Sequence, residues 1–282
     1  DTLRTLTTES AAGLVPFSSQ EIRHRGGVYY GVNATSRNLI VCDRRQLLNS
    51  NGFILGVSGS GKSFAAKEEI TSIALSTDDD IIIVDPEREY APALGGEVVQ
   101  ISAGSPNHIN AMDMTSGYGE EEGKADDPLI LKSQFVMSLC EQLMKPEPVG
   151  AKERSIIGRC VGNVYREYIK DYRNPPTLKD FREELLRQPE PQAQSIALAL
   201  ELFVDGTLDV FAYQTNVDMS NRIMLFDIFD LGSQLKTVGM LVMLDAILNR
   251  VIENHKRGRR TWIYIDEIYL FFANEYSSNF LE

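Results

Sequence analysis

The chain has 282 residues, with 28 Lys and Arg against 40 Asp and Glu, so its formal net charge is −12 at pH 7. This balance argues against a free-standing nucleic-acid-binding protein, because such proteins are usually basic. Hydrophobic residues make up 43% of the chain, enough to bury a core, and the three cysteines show neither metal-ligand spacing nor a disulfide framework, which favours a reducing compartment.

The first elements in chain order predict the start of an α/β fold. Residues 28–43 indicate two short strands around a polar turn, within an N-terminal segment 1–48. The apolar run GFILG at 52–56 predicts a strand, and residues 62–75 predict a helix. The next run, IIIVD, is continuously apolar, which is typical of a strand buried on both faces of a parallel sheet. The order predicts a βαβ unit in the first part of a core, 49–116.

The pattern then changes to helices and back. We expect a helical insert at 117–205, in which Thr177 followed by Asp180 marks a helix start. Strand and long-helix patterns return over 206–282, which we expect to be a second, truncated part of the core. The fold class is therefore α/β, with a mainly parallel sheet and an inserted all-helical subdomain. The predicted helices of the insert cover 128–145, 151–172, 177–187 and 190–204.

The segment GVSGSGKSF, 56–64, fits the pattern G-x-x-x-x-G-K-[ST]. In such a loop, backbone N–H groups and the start of the following helix bind phosphate oxygens. Lys62 is expected to reach the β- and γ-phosphates, and Ser63 to contribute to a Mg²⁺ site. The alternative is a flexible Gly/Ser linker, which would not normally stand between apolar strand and helix patterns. The expected nucleotide contacts are Gly59, Ser60, Gly61, Lys62, Ser63 and Phe64.

Two apolar runs end in an aspartate, as the acidic partner of a phosphate-binding loop should. Asp266 closes WIYID and is followed directly by Glu267, so we assign the metal to Asp266 and the polarisation of an attacking water to Glu267. Asp85 closes IIIVD, and Glu87 follows two residues later. These two acids are predicted to lie at a neighbouring strand end, facing the same crevice. The alternative for all four is an ordinary acid where a strand meets solvent.

Several segments together resemble one family, the VirB-type ATPases of type IV secretion and conjugation systems. The segments are GVSGSGKSF, IIIVDPEREY, INAMD at 109–113, the helical block and WIYIDEIYLFF. The string Asp-Pro-Glu-x-Glu-Tyr at 85–90, followed much later by the Asp-Glu strand, is the most specific part. The family often has Asn-Pro where this chain reads Asn110-Ala111.

The resemblance implies a RecA-like core with ATP and Mg²⁺ as cofactors. It also implies oligomers, commonly hexamers, peripheral on the inner face of the bacterial cell membrane, and contacts with other secretion components, a coupling protein and DNA or protein in transit. Such ATPases usually continue past the Asp-Glu strand, so we expect a sensor residue and an arginine finger beyond Glu282.

Three functions fit the sequence. The first is an ATPase motor that powers substrate transfer or pilus assembly. The second is a DNA-pumping translocase or coupling protein of the FtsK/HerA type, and the Asp-Pro-Glu-x-Glu-Tyr string favours the first over it. The third is a nucleotide-dependent assembly scaffold with little turnover. Measurement of ATP hydrolysis separates the third function from the other two.

Overall fold

A computed structural model describes residues 7–8, 21–90, 96–118, 120–121, 124–125 and 127–269 of the chain. The chain forms two compact units, 1–77 and 78–282. The boundary falls one residue after a helix, at the start of the acidic run that precedes the strand IIIVD.

In its described residues from 21 onwards, the first unit contains a β-hairpin, a short 3-10 helix (Arg44–Gln46) and a fifteen-residue α-helix. Strands β1 (Val28–Val32) and β2 (Leu39–Cys42) pair antiparallel, as the sequence predicts, with Val28 opposite Cys42 and Val32 opposite Leu39. The turn between the strands is closed by the Asn33 N–H, which donates to Asn38 O at 2.8 Å. Helix α1 (Lys62–Ser76) follows the glycine loop and contacts β1.

A buried glutamate joins α1 to the hairpin. Glu69 accepts from Arg44 Nε at 2.6 Å and also from the Tyr30 hydroxyl. Burial and the Glu69 carboxylate raise the pKa of Tyr30 above its ordinary value, so the phenol keeps its proton and remains a donor. Glu69 therefore has a structural role in the middle of α1. Its buried carboxylate needs a partner, and Arg44 and Tyr30 supply the hydrogen bonds.

The predicted strand at 52–56 is wrong. These residues are in neither a helix nor a strand, and Phe53 and Leu55 are 68% and 87% exposed. A strand needs a partner whose backbone groups complete its ladder, and among the described residues no strand pairs with this run. A short apolar run alone does not supply that partner.

The second unit begins with a strand and alternates sheet and helices. In chain order its elements are β3 (Asp80–Asp85), β4 (Glu97–Gln100), β5 (Glu120–Glu121), β6 (Lys124–Ala125), α2 (Pro128–Leu143), α3 (Ala151–Asp171), α4 (Leu178–Leu186), α5 (Pro191–Ala199), α6 (Glu201–Val204), β7 (Ile223–Asp227), α7 (Gly232–Lys256) and β8 (Thr261–Ile265).

Four strands form one parallel sheet in the order β4-β7-β3-β8. All six residues of β3 are buried, which confirms the prediction made from its continuous apolar run. Because the strands are parallel, their carboxyl ends lie at one edge of the sheet. That edge carries the acids singled out in the sequence.

The helical block α2–α6 confirms the predicted helices to within a few residues. Thr177 and Asp180 form a capping box at the start of α4. Three donors of this block reach the carbonyl groups of one irregular segment, 112–114: Tyr165 contacts Met112 O, Lys132 contacts Asp113 O, and Tyr168 contacts Met114 O. The segment needs these donors because its buried carbonyls have no helix or sheet ladder.

The opposite, amino edge of the sheet is closed by an ion-pair network around Asp80. This buried carboxylate accepts from Arg250 at 2.7 Å, from Asn254 at 2.8 Å and from Arg259 at 3.3 Å. The cations at the end of α7 therefore have a structural task at the base of β3. Among the helices of the described part of the chain, none is long and apolar enough to cross a membrane.

Candidate functional site

The glycine loop of the first unit has the backbone conformation of an anion-binding nest. Gly59 has a φ of +76° and Gly61 a φ of +91°, whereas Ser60 and Lys62 have negative φ. This alternation turns successive N–H groups toward one side of the chain. Gly61 is the N-cap of α1 and has no side chain to cover the first-turn N–H groups, where the helix carries its partial positive charge.

The side chains of the glycine loop lie close to its backbone or in the first turn of α1. Lys62 Nζ donates to Gly56 O at 3.1 Å, so the lysine folds back across the loop. A Cβ at Gly56 would lie 2.3 Å from Ser60 Oγ, so a larger residue there would displace the Ser60 side chain. Ser63 follows in the first turn of α1 and is half-buried, and Phe64 is 73% exposed. The residues predicted at 59–64 thus lie together on one loop and helix start.

Two of the predicted acids lie at adjacent strand ends in the second unit. Val84 of β3 is opposite Ile265 of β8, and the Asp266 N–H donates to Val84 O at 3.1 Å. Asp85 and Asp266 are therefore neighbours at the carboxyl edge. The Asp85 carboxylate is buried and accepts from the N–H groups of Glu89 at 3.0 Å and Tyr90 at 2.8 Å. Asp85 therefore shapes the loop that follows β3.

Asp266 and Glu267 form a compact acidic corner after β8. Glu267 has a φ of +51°, an uncommon conformation for a residue with a side chain, and its N–H donates to Asp266 Oδ1 at 2.9 Å. Burial raises the pKa of Asp266 above its ordinary value, while that N–H lowers it. Three further carboxylates raise the pKa of Asp266 by their charge: Glu89, Glu267 and Asp85.

Several charged residues at this edge pair in ways that the sequence patterns do not predict. Glu87, which we predicted to face the crevice, is paired with Lys236 of α7 at 2.6 Å. Arg88 is paired with Asp227 at the end of β7 and with Asp230. The signal for Asp227 was present, because LFD repeats the pattern of an apolar run that ends in aspartate. Glu89 lay within the quoted string 85–90 but was not assigned a role.

The chain carries oxygen donors of the kind that a magnesium ion arriving with a nucleotide would use. Among the described residues, no three His, Cys, Asp or Glu side chains are grouped so as to hold a metal. Mg²⁺ does not require such a cage, since it keeps several waters and binds through one or two carboxylates and substrate phosphates. Each unit, taken by itself, offers an oxygen donor of the required type: the Ser63 hydroxyl in the first unit and the Asp266 carboxylate in the second.

Two comparisons with known proteins find similarity over most of the chain. The family model described as the central domain of the helicase HerA matches residues 38–251. A solved structure, VirB4 of Thermoanaerobacter pseudethanolicus, superposes with a TM-score of 0.72 at 22% sequence identity, over 89% of this chain and 70% of that one. A search of curated proteins finds no significant match.

The family match covers most of the chain, so the chain belongs to the HerA central-domain family, which is an ATPase family. The similarity to VirB4 confirms the predicted fold class and, at the level of the fold, the resemblance to VirB-type ATPases. The matched range includes the glycine loop and β3 but ends before Asp266. The roles of Asp266 and Glu267 therefore depend on their chemistry and position.

Proposed function

We propose that this protein binds and hydrolyses ATP as the motor subunit of a type IV secretion or conjugative transfer apparatus. The observation that carries the proposal is the glycine loop, in which two positive-φ glycines lead into the start of α1. That arrangement, in a chain of the HerA central-domain family, is suited to the phosphates of a nucleotide. Bound Mg²⁺ would neutralise charge that develops on those phosphates.

Each of the proposed site residues has a role in ATP binding or hydrolysis that follows from its chemistry. The N–H groups of 59–64 bind phosphate oxygens, and Lys62 exchanges its contact with Gly56 O for the phosphates. When Mg²⁺ is bound, Asp266 would hold the water shell of the metal and Ser63 would contribute its hydroxyl oxygen to the metal. Glu267, whose backbone is fixed by the Asp266 carboxylate, accepts a proton from the attacking water. Asp85 and Glu87 act in the chemical step on the bound nucleotide, through the acidic loop that they shape beside Asp266.

Replacement of Lys62 tests the binding step. Lys62→Ala removes a cation that we place on the phosphates, and a hydrogen bond to a charged group contributes about 1.5–3 kcal/mol. We expect ATP affinity, measured by equilibrium titration, to fall roughly 10- to 100-fold. Lys152→Ala, at an exposed position of α3, is the matched control and should bind as the wild type does. Equal affinity in both variants would contradict the assignment.

The backbone of the loop can be tested separately. Gly61→Ala places a side chain at φ +91°, and this left-handed region costs an alanine about 1–2 kcal/mol. We expect ATP affinity to fall roughly tenfold because the strained conformation must form on binding. Gly158→Ala is the control, since Gly158 lies within α3 with open space around its Cβ position. That variant should keep its affinity and melt slightly higher.

A second candidate function has support of its own. The family match is to the central domain of a helicase, which favours a DNA-pumping translocase or coupling protein. In either role we propose that the protein forms an oligomer, a hexamer as the resemblance implies. We also propose that this oligomer is bound peripherally to the inner face of the membrane.

Addition of double-stranded DNA to a hydrolysis assay separates the two roles. Turnover that rises several-fold with DNA favours the translocase, and turnover that is independent of DNA favours the secretion motor.

A further inference from the structure

Arg88 has a backbone conformation that its surroundings must maintain. It lies three residues past the buried end of β3 and has a φ of +58°. A residue with a side chain pays about 1–2 kcal/mol for this left-handed conformation. Nothing in the residue type favours it, because Asn and Asp, not Arg, visit this region readily. The contacts of the guanidinium therefore hold this part of the loop, while the Asp85 carboxylate holds the N–H groups of Glu89 and Tyr90.

These contacts form a clamp, which we define as Arg88, Asp227, Phe229 and Asp230. Arg88 Nε donates to Asp227 Oδ2 at 2.7 Å, and Nη2 donates to Asp227 Oδ1 at 3.3 Å and to Asp230 Oδ2 at 2.5 Å. The guanidinium carbon lies 5.0 Å from the centre of the Phe229 ring. Two carboxylates and an aromatic face thus bind one arginine, a geometry that lysine cannot reproduce.

The clamp connects three strand ends. Asp227 ends β7 and is 3% exposed, so its carboxylate needs a cation. Gln100, at the end of β4, donates to Asp230 Oδ2 at 3.1 Å. Arg88 belongs to the loop after β3. The ends of β3, β7 and β4 are therefore joined through a single guanidinium and its partners.

The loop held by this clamp carries two acids beside the proposed metal residue. Glu87 is paired with Lys236 at 2.6 Å. Glu89 is anchored by its N–H on the Asp85 carboxylate and is near enough for its charge to act on Asp266. If the clamp opened, the strained backbone at Arg88 would relax and both carboxylates would move. A displacement of about 1 Å near reacting groups can cost roughly 100-fold in rate.

We propose that Arg88 is a positioning residue for ATP hydrolysis, which fixes the acidic loop 86–90 beside Asp266 through its clamp on Asp227 and Asp230. This inference rests on the proposed function. The Arg88 guanidinium acts within its own chain, because its hydrogen-bonding groups are already engaged with the carboxylates of Asp227 and Asp230. Its effect falls on the rate of the chemical step, because neither Arg88 nor its partners belong to the glycine loop.

The test compares kcat and KM for ATP in Arg88→Ala, Arg88→Lys and Arg88→Gly. We expect kcat to fall roughly 10- to 100-fold in all three, with KM within about threefold of the wild type. The glycine variant is the most informative, because it removes the clamp while relieving the backbone strain. Arg159→Ala removes a comparably exposed arginine that is paired with Glu190 at 2.7 Å, and it should leave kcat unchanged.

Asp230→Asn provides a variant that will fold, because Asp230 is 45% exposed and Asn keeps its shape. It loses one charge-assisted contact, and we expect kcat to fall roughly three- to tenfold. Wild-type kcat in both Arg88→Gly and Asp230→Asn would overturn the inference and leave the proposed function standing. An equal loss in kcat and in ATP affinity would also overturn it. Absence of turnover in the wild type would overturn the proposed function and this inference with it.

Discussion

Glu267→Gln should lower kcat for ATP hydrolysis by two to four orders of magnitude while ATP binding persists. A positioned general base contributes on the order of 10²- to 10⁴-fold, and the amide has the size of the carboxylate but cannot accept the proton. The fold of the corner should survive, because it is the Glu267 N–H, not the side chain, that donates to Asp266. Steady-state phosphate release and equilibrium ATP binding should be measured on the same preparation.

The matched control for this variant is Glu167→Gln. Glu167 is 79% exposed on α3, where it pairs only with Lys170 among the contacts seen in the described part of the chain. The change removes the same charge without touching the strand ends, so kcat should remain at the wild-type value. If Glu267→Gln stays within threefold of the wild type, the base lies elsewhere. Glu89 is then the next residue to test, because its charge acts on Asp266.

Lys132→Met should be the most destabilising change in the helical block. Lys132 is fully buried, and its Nζ contacts Asp245 Oδ2 at 2.6 Å and Asp113 O at 2.6 Å. Removal of one partner of a buried ion pair costs about 3–5 kcal/mol, because the other charge remains without a counter-ion. We expect the melting temperature to fall by roughly 10 °C. Lys170→Met, which breaks an exposed pair, should change it by about a degree or less.

The loss in Lys132→Met should depend on pH. Burial raises the pKa of Asp245, and the positive charge of Lys132 opposes that shift in the wild type. Without Lys132 the folded-state pKa of Asp245 rises further above its unfolded value. The folded variant then keeps its stability at low pH, where Asp245 is protonated, and loses it as the pH rises through the folded pKa. Unfolding at pH 5 and pH 8 should therefore show the larger destabilisation at pH 8.

A second substitution identifies the cause of that loss. Lys132→Met combined with Asp245→Asn removes both charges of this buried pair. The Tyr118 hydroxyl, which donates to Asp245 Oδ1 in the wild type, can still donate to the amide oxygen of the new side chain. We expect this pair of changes to recover at least half of the lost stability and to abolish its pH dependence. A double variant as unstable as the single one would mean that packing, and not the unpaired charge, causes the effect.

Local signals in the sequence predicted much of the fold. The continuous apolar run of β3 required burial on both faces, and Thr177 with Asp180 specified the start of α4. The glycine pattern predicted a phosphate-binding loop before α1, and the positive φ of Gly59 and Gly61 fits such a loop because few other residues adopt that conformation. Each of these features depends on residues that are close in the chain. The prediction of a strand at 52–56 was wrong because a strand also needs a pairing partner, and the residues near it in the chain do not determine that partner.

The contacts that organise the acidic edge could not be predicted. Arg88 and Asp227 are 139 residues apart in the sequence, and Lys132 and Asp245 are 113 apart. The identity of a charged residue does not show whether its side chain is solvated or held in an ion pair. Only the order of strands in the sheet brings the end of β7 beside the end of β3. The sequence therefore indicated Asp85 and Asp266, but not the pairing of Arg88 with Asp227 and Asp230.

Steady-state release of phosphate from Mg–ATP by the wild type, Lys62→Ala and Glu267→Gln tests the central claim most directly. We predict measurable turnover in the wild type, lost in both variants, with ATP binding weakened only by the change at Lys62. This pattern requires a phosphate-binding loop and a separate base on one chain. Equal and negligible turnover in all three proteins would contradict the enzymatic function and favour a nucleotide-dependent assembly scaffold.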